Sequence, residues 1–166
     1  MFTKYGEFDS YEEINTKAQE LLYADDQAGL KALAVENGMN EYVAEDYIDG
    51  IQEEFCSALM AASGKLKVEQ EDLGKDFDNQ EIFKDWVEYI YADLPENEEL
   101  CRAVRSKNKN LIGCLGHILK YSFNNCYSLN DRIVKAANIN AKVKLGIPGS
   151  GTVRKLIKEY YLGKKA

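Results

Sequence analysis

The stretch Leu145–Thr152, LGIPGSGT, sets three glycines and a proline just ahead of the basic, amphipathic VRKLIKEYYLG. Glycine-rich loops that open helices can cradle phosphates, because free backbone N–H groups and the positive end of the helix dipole converge there. A nucleotide-binding P-loop needs GxxxxGK[ST] after a buried apolar strand. Here no lysine precedes Thr152, the upstream KVKL carries two lysines, and few residues follow to supply a sheet with a magnesium-binding aspartate. A GxGxxG dinucleotide fingerprint fails similarly, since Gly149-Ser-Gly151 runs on into Thr152, Val153 and Arg154. What remains is anion capture. Arg154 and Lys155 stand in the first turn of the final helix, where positive charge opposes the dipole unless a phosphate or carboxylate lies nearby. The alternative is a plain turn, shaped by Pro148, with Ser150 or Thr152 as the helix cap.

Two other constellations invite a chemical reading. Cys101, Cys114, His117 and Cys126 offer four zinc-ligand types, but with Cys56 they form no CxxC pair, and their spacings fit no compact zinc fold. Reduced, buried thiols are expected, with no metal and no cofactor. LIGCLGHI (Leu111–Ile118) imitates the IGxxGxxI of KH domains, which clamp single strands on a GxxG loop. Its middle positions are Cys114 and Leu115, where that loop carries basic or small residues, and helical period continues on both sides. Glycines spaced for close helix packing are the better reading. His117 is the sole histidine and sits in an apolar helix, and no strained nucleophile elbow is present. A non-enzymatic protein is expected.

Charge carries more. Residues 1–100 hold seven Lys and Arg against 26 Asp and Glu, a net −19, whereas residues 101–166 hold 14 against two, a net +12. An acidic surface suits a basic partner, and a basic surface suits nucleic acid or an acidic partner. Alternatively, the halves lie side by side and neutralise one another. On the acidic side, Glu41, Glu45, Asp46, Asp49, Glu53 and Glu54 fall within 14 residues, interleaved with Tyr42 and Tyr47, and are the candidate partner-binding face. On the basic side, Arg102, Arg105, Lys107, Lys109, Arg154, Lys155 and Lys158 are secondary candidates for anion or nucleic-acid contact, with Tyr121, Tyr160 and Tyr161 nearby. Lys120, Lys164 and Lys165 extend this basic set.

The elements that position these residues are helical. At 166 residues the chain buries enough surface to fold without disulfides or metal. No apolar run reaches the ~20 residues of a membrane span. A protein of the bacterial cytoplasm, without membrane contact, is expected. Ser10 and Glu13 form a capping box ahead of Tyr11, Ile14, Ala18, Leu21 and Leu22. Asp25 and Asp26 cap a second helix carrying Leu30, Leu33 and Val35, which Asn37-Gly38 ends. Asn40 opens a third, closed by Gly50, and a fourth runs from about Glu53 through Phe55, Ala58, Leu59 and Ala62 to Gly64. The polar stretch 64–80 reads as a linker or mobile loop. Asp78 and Glu81 then cap a helix with Ile82, Phe83, Trp86, Val87 and Ile90, and Pro95 suits the first turn of the next, with Leu100, Cys101 and Val104. Leu111, Ile112, Leu115, Ile118, Leu119 and Phe123 make the most apolar helix. Asn130 caps a short helix, AKVKLGI forms one brief extended segment near the C-terminus, and a final helix spans about Thr152 to Leu162. The expected fold is mostly α, a compact bundle of about eight helices. Residues 1–75 form an acidic helical region and 76–166 a second helical region, basic from 101; one continuous domain is the alternative.

KYGEFDSYEEINTKAQELL, AEDYIDG, DWVEYI, CRAVRSKNKNLIGCLGHILKYSF and LGIPGSGTVRKLIKEYYLG resemble the PcfK-like family. The resemblance runs over most of the chain and is weakest across 64–80. That family comprises small proteins of conjugative elements and phages of gut bacteria, part of it assigned as anti-CRISPR proteins. The resemblance implies an inhibitor that binds a type II CRISPR effector nuclease, alone or with its guide RNA, and it carries no catalytic signature. A nucleic-acid-binding accessory protein of a conjugative element, acting through the basic C-terminal half, is the alternative. Neither reading fixes the oligomeric state.

Overall fold

A computed structural model of the chain describes residues 6–78 and 80–163. Its elements in order are α1 (Tyr11–Tyr23), α2 (Gln27–Glu36), α3 (Tyr42–Ile48), α4 (Ala58–Leu73), α5 (Lys75–Asp78), α6 (Glu81–Asp93), α7 (Glu98–Arg105), α8 (Leu111–Asn124), β1 (Tyr127–Ser128), α9 (Asp131–Ala136), β2 (Lys144–Leu145) and α10 (Ser150–Leu162). The fold is mostly α, as the periodicity predicts. Its only strands among the described residues are an antiparallel pair that sets Tyr127 opposite Leu145 and Ser128 opposite Lys144.

Several boundaries follow the capping chemistry. The Glu13 backbone N–H donates to Ser10 Oγ, while the Glu13 carboxylate accepts from the Asp9 N–H, one residue earlier than in a standard capping box. Asp26 accepts from Gly29 N at 2.8 Å and starts α2. Asn97, Asn110 and Asn130 likewise start α7, α8 and α9 with side-chain acceptors. Other expectations give way. No side chain caps α6, whose N-cap is Gln80, so Asp78 and Glu81 form no capping box there. Pro95 stands in the turn before α7 and not in its first turn.

The largest correction concerns 64–80. Ser57, not a residue near Glu53, caps α4, and the helix passes through Gly64 to Leu73 without interruption. Gly64 is a contact and not a stop. A Cβ there would run into the Asn37 carbonyl oxygen, and one on Gly38 would run into the Gly64 carbonyl oxygen. Two glycines therefore let the α2 end cross α4 backbone to backbone, and Gly38 also needs its φ of +75° to leave α2.

Buried apolar side chains form two clusters that share α4. Ile14, Leu30, Leu33, Ala44, Phe55 and Ala61 pack α1–α4. Ala62, Leu66, Trp86, Ile90, Leu100, Leu111, Ile118 and Ile157 pack α4, α6, α7, α8 and α10. Beyond α8 the pattern changes. Between Asn125 and Gly149, Val134 is the one buried residue, so β1, α9 and β2 form a small lobe with almost no core. The lobe meets the body where Gly146 lies against the Ser122 carbonyl oxygen and Cys126 Sγ, too close for any Cβ. Phe123, Leu119 and Ile112, expected inside, stand 82%, 51% and 58% exposed along α8.

Candidate functional site

The stretch expected to be a linker carries two of the three buried charges among the described residues, the third being Arg105. Lys65 and Glu69 are 3% and 4% exposed and lie one turn apart on α4. The Lys65 ammonium donates to the carbonyl oxygens of Val104, Ser106 and Lys109 at 2.8, 2.6 and 2.5 Å, where α7 ends. The Glu69 carboxylate accepts from Leu111 N at 3.0 Å, where α8 begins. A cation thus meets the negative end of one helix dipole and a carboxylate the positive end of the next. Burial pulls the Lys65 ammonium down to about 8, partly offset by Glu69, and pushes the Glu69 carboxyl above its ordinary value.

Beside this pair opens a cavity of about 540 Å³, lined by Gly6, Glu7, Phe8, Arg105, Lys107, Asn110 and Ile112 among others. Two of its cations, Lys65 and Arg105, are already committed. Arg105 is 2% exposed and donates to Asn37 Oδ1 at 3.0 Å. A residue so enclosed is no surface phosphate contact, which corrects its place among the basic candidates.

The other basic candidates divide. Arg102 pairs with Glu12 and with Glu98 and lies 4.9 Å over the Tyr11 ring. Arg154 pairs with Asp93 at the end of α6 and covers the Tyr89 ring at 5.0 Å, while Lys158 stands 4.0 Å from the same carboxylate. Lys109 lies 4.8 Å over Tyr160. Lys107 and Lys155 are exposed and form no ion pair among the described residues. The anion needed at the start of α10 is therefore internal, and it is Asp93. Gly149 is the N-cap with no side-chain hydrogen bond, so neither Ser150 nor Thr152 caps this helix. LGIPGSGT is a turn whose Gly146 seats the lobe. Lys164 and Lys165 lie outside the described residues.

The acidic face is different. Glu41, at the N-cap of α3, and Asp46, Asp49, Glu53 and Glu54, on α3 and after it, are all exposed, and none forms an ion pair among the described residues. Glu45 is the exception, held by Lys31 at 2.6 Å. Two exposed apolar side chains stand among them, Tyr42 (62%) and Ile51 (73%). The backbone beneath is fixed by Gln52, whose side-chain amide donates to Val43 O at 2.9 Å, and by Phe55, which is fully buried against Tyr47. A folded platform thus holds uncompensated negative charge.

The sequence reading left out the cations that remain without an ion pair in the lobe after α8. Arg132, Lys135, Lys142 and Lys144 lie exposed in the lobe without an ion pair among the described residues, and Lys120 stands nearby on α8. The signal was available as four cations against the single Asp131 between 125 and 149. Among the described residues, no group of three or more His, Cys, Asp or Glu is placed to hold a metal ion, and no helix is long and apolar enough to cross a membrane. Cys56, Cys101 and Cys114 are free and buried, and Cys126 is free and exposed. No family model, curated protein or solved structure matches this chain.

Proposed function

We propose that the chain is a non-enzymatic anti-CRISPR protein that binds and inhibits a type II CRISPR RNA-guided DNA endonuclease in the cytoplasm of a bacterial host. The observation that carries this reading is the acidic face of α3 and the residues flanking it, where five exposed carboxylates form no ion pair among the described residues. Such effectors hold the guide–target heteroduplex in a positively charged channel and read the PAM with arginines. A rigid array of carboxylates competes for those surfaces, and Tyr42 and Ile51 supply apolar anchors within it. The PcfK-like resemblance points the same way.

The test is a pull-down of the effector, with and without guide RNA and target DNA, against the wild type and an Asp46→Lys/Asp49→Lys/Glu53→Lys variant. Glu45 is left intact because a lysine there would face Lys31. Capture by the wild type and a loss of at least about tenfold in the variant are expected. Undiminished capture by the variant overturns the acidic face as the contact. A gel shift of the isolated protein on single- and double-stranded DNA across a salt series tests the accessory-protein alternative, which requires tight, steeply salt-dependent binding.

A further inference from the structure

The lobe presents apolar side chains that its own fold does not cover. Tyr127 and Leu145 are cross-strand partners, stand on one face of the hairpin, and are 55% and 39% exposed. Ile133, Ile139 and Ile147 are 62%, 44% and 52% exposed. Just before the lobe, the 82% exposed Phe123 accepts from Cys126 Sγ through its backbone carbonyl, and Cys126 in turn contacts Gly146. Exposed apolar side chains concentrated in one small lobe mark a contact surface, particularly where the lobe has one buried residue of its own.

Charge narrows the occupant. With Arg132, Lys135, Lys142 and Lys144 forming no ion pair among the described residues, two lobes meeting face to face would set like charges together, so a symmetric contact between lobes is disfavoured. Tyr127 and Phe123 offer bases a stacking surface, but Ile133, Ile139, Leu145 and Ile147 do not, and these aliphatic side chains suit apolar anchors on a protein. The molecule itself carries a surface of the required kind. Its α3 face combines five carboxylates that form no ion pair among the described residues with the exposed Tyr42 and Ile51.

We infer that the lobe of one copy docks on the acidic α3 face of a second copy, in a head-to-tail contact. The contact joins two different patches, so it closes into a ring of two or more copies or extends into an open string. It occupies the face assigned to the effector, and self-association therefore competes with effector binding. Because its test uses the purified protein alone, it stands or falls independently of the effector reading.

The experiment is sedimentation velocity over a concentration series at about 50 mM and about 500 mM salt. The wild type is compared with a lobe variant, Lys142→Gln/Lys144→Gln/Leu145→Ser, and a face variant, Asp46→Asn/Asp49→Asn/Glu53→Gln. All six positions are exposed, and circular dichroism checks that both variants remain folded. The wild type is expected to form dimers and larger species at low salt that dissociate at high salt. Each variant alone is expected to stay monomeric. Their equimolar mixture is expected to stop at a one-to-one dimer, because only one intact lobe and one intact face remain between them. A wild type that stays monomeric at low salt overturns the inference, as does a mixture that stays monomeric. Oligomers that persist in both variants overturn it too. A monomeric wild type whose lobe binds a single-stranded oligonucleotide overturns it in favour of nucleic acid.

Discussion

The helical body from α4 to α8 and the lobe from Asn125 to Gly149 show opposite ways of handling charge and apolar surface. In the body, charges are buried and spent on structure, as with Lys65 bridging three carbonyl oxygens and Glu69 holding the Leu111 N–H. In the lobe, cations are exposed without ion pairs among the described residues, and the apolar side chains beside them are exposed as well. The same division separates Arg102 on α7 and Arg154 on α10, neutralised by Glu12, Glu98 and Asp93, from the α3 face, whose carboxylates other than Glu45 form no ion pair among the described residues. Net charge by itself therefore says little about binding. What matters is which charges the fold has already used.

The contrast is broken most forcefully at Glu69. Glu69→Ala would leave the Lys65 ammonium buried beside no carboxylate and the Leu111 N–H without its acceptor, a cost of about 3–5 kcal/mol in urea unfolding. A loss under about 1 kcal/mol would show that the pair is dispensable.

A matched pair of apolar truncations sharpens it. Ile118 is fully buried in α8, and Ile118→Ala is expected to cost about 2–5 kcal/mol. Ile133 is 62% exposed in the lobe, and Ile133→Ala is expected to stay within about 0.5 kcal/mol. Equal losses would mean that the lobe has a core after all.

The pH dependence gives a smaller effect. The buried Lys65 releases its proton near 8 in the folded chain but near 10.5 when unfolded. Across that window the unfolded state binds more protons, so stability rises with pH. Lys65→Met lacks this contribution, and the wild type is expected to gain stability relative to the variant from pH 8 toward 10.5. The Cys56 and Cys114 thiols, pushed up to about 12 by burial, act in the opposite sense above pH 9 but do so in both proteins, and so cancel in the difference. A flat difference would show that Lys65 stays charged.

Much of the fold was legible because caps and periodicity are local. Ser10, Asp26 and Asn130 start helices with side-chain acceptors that adjacent residues supply. The stretch 64–80 was misread because its polarity has a non-local cause. Lys65 and Glu69 are polar because the α7–α8 junction needs a cation and a carboxylate, and nothing near them in sequence says so. A helical spacing through Ala58, Ala62, Leu66 and Glu69 was nonetheless present, and only the supposed stop at Gly64 hid it. Gly64 breaks nothing, because its missing Cβ serves the crossing with Asn37 and Gly38. The acidic face was legible as a dense run of carboxylates, apart from the loss of Glu45 to Lys31. The basic face was not, because Arg102 and Arg154 find their carboxylates 90 and 61 positions away in the chain.

Native-state hydrogen exchange tests the contrast between body and lobe most directly. It is best run in about 500 mM salt, where charge-driven contacts between copies are screened. Amides of α4 and α8 are expected to exchange only through global unfolding, while those of α9 and the 127–145 hairpin exchange orders of magnitude faster, through local opening. Protection of the lobe equal to that of α8 would contradict the division between a body that has spent its charges and apolar surface and a lobe that has kept them exposed.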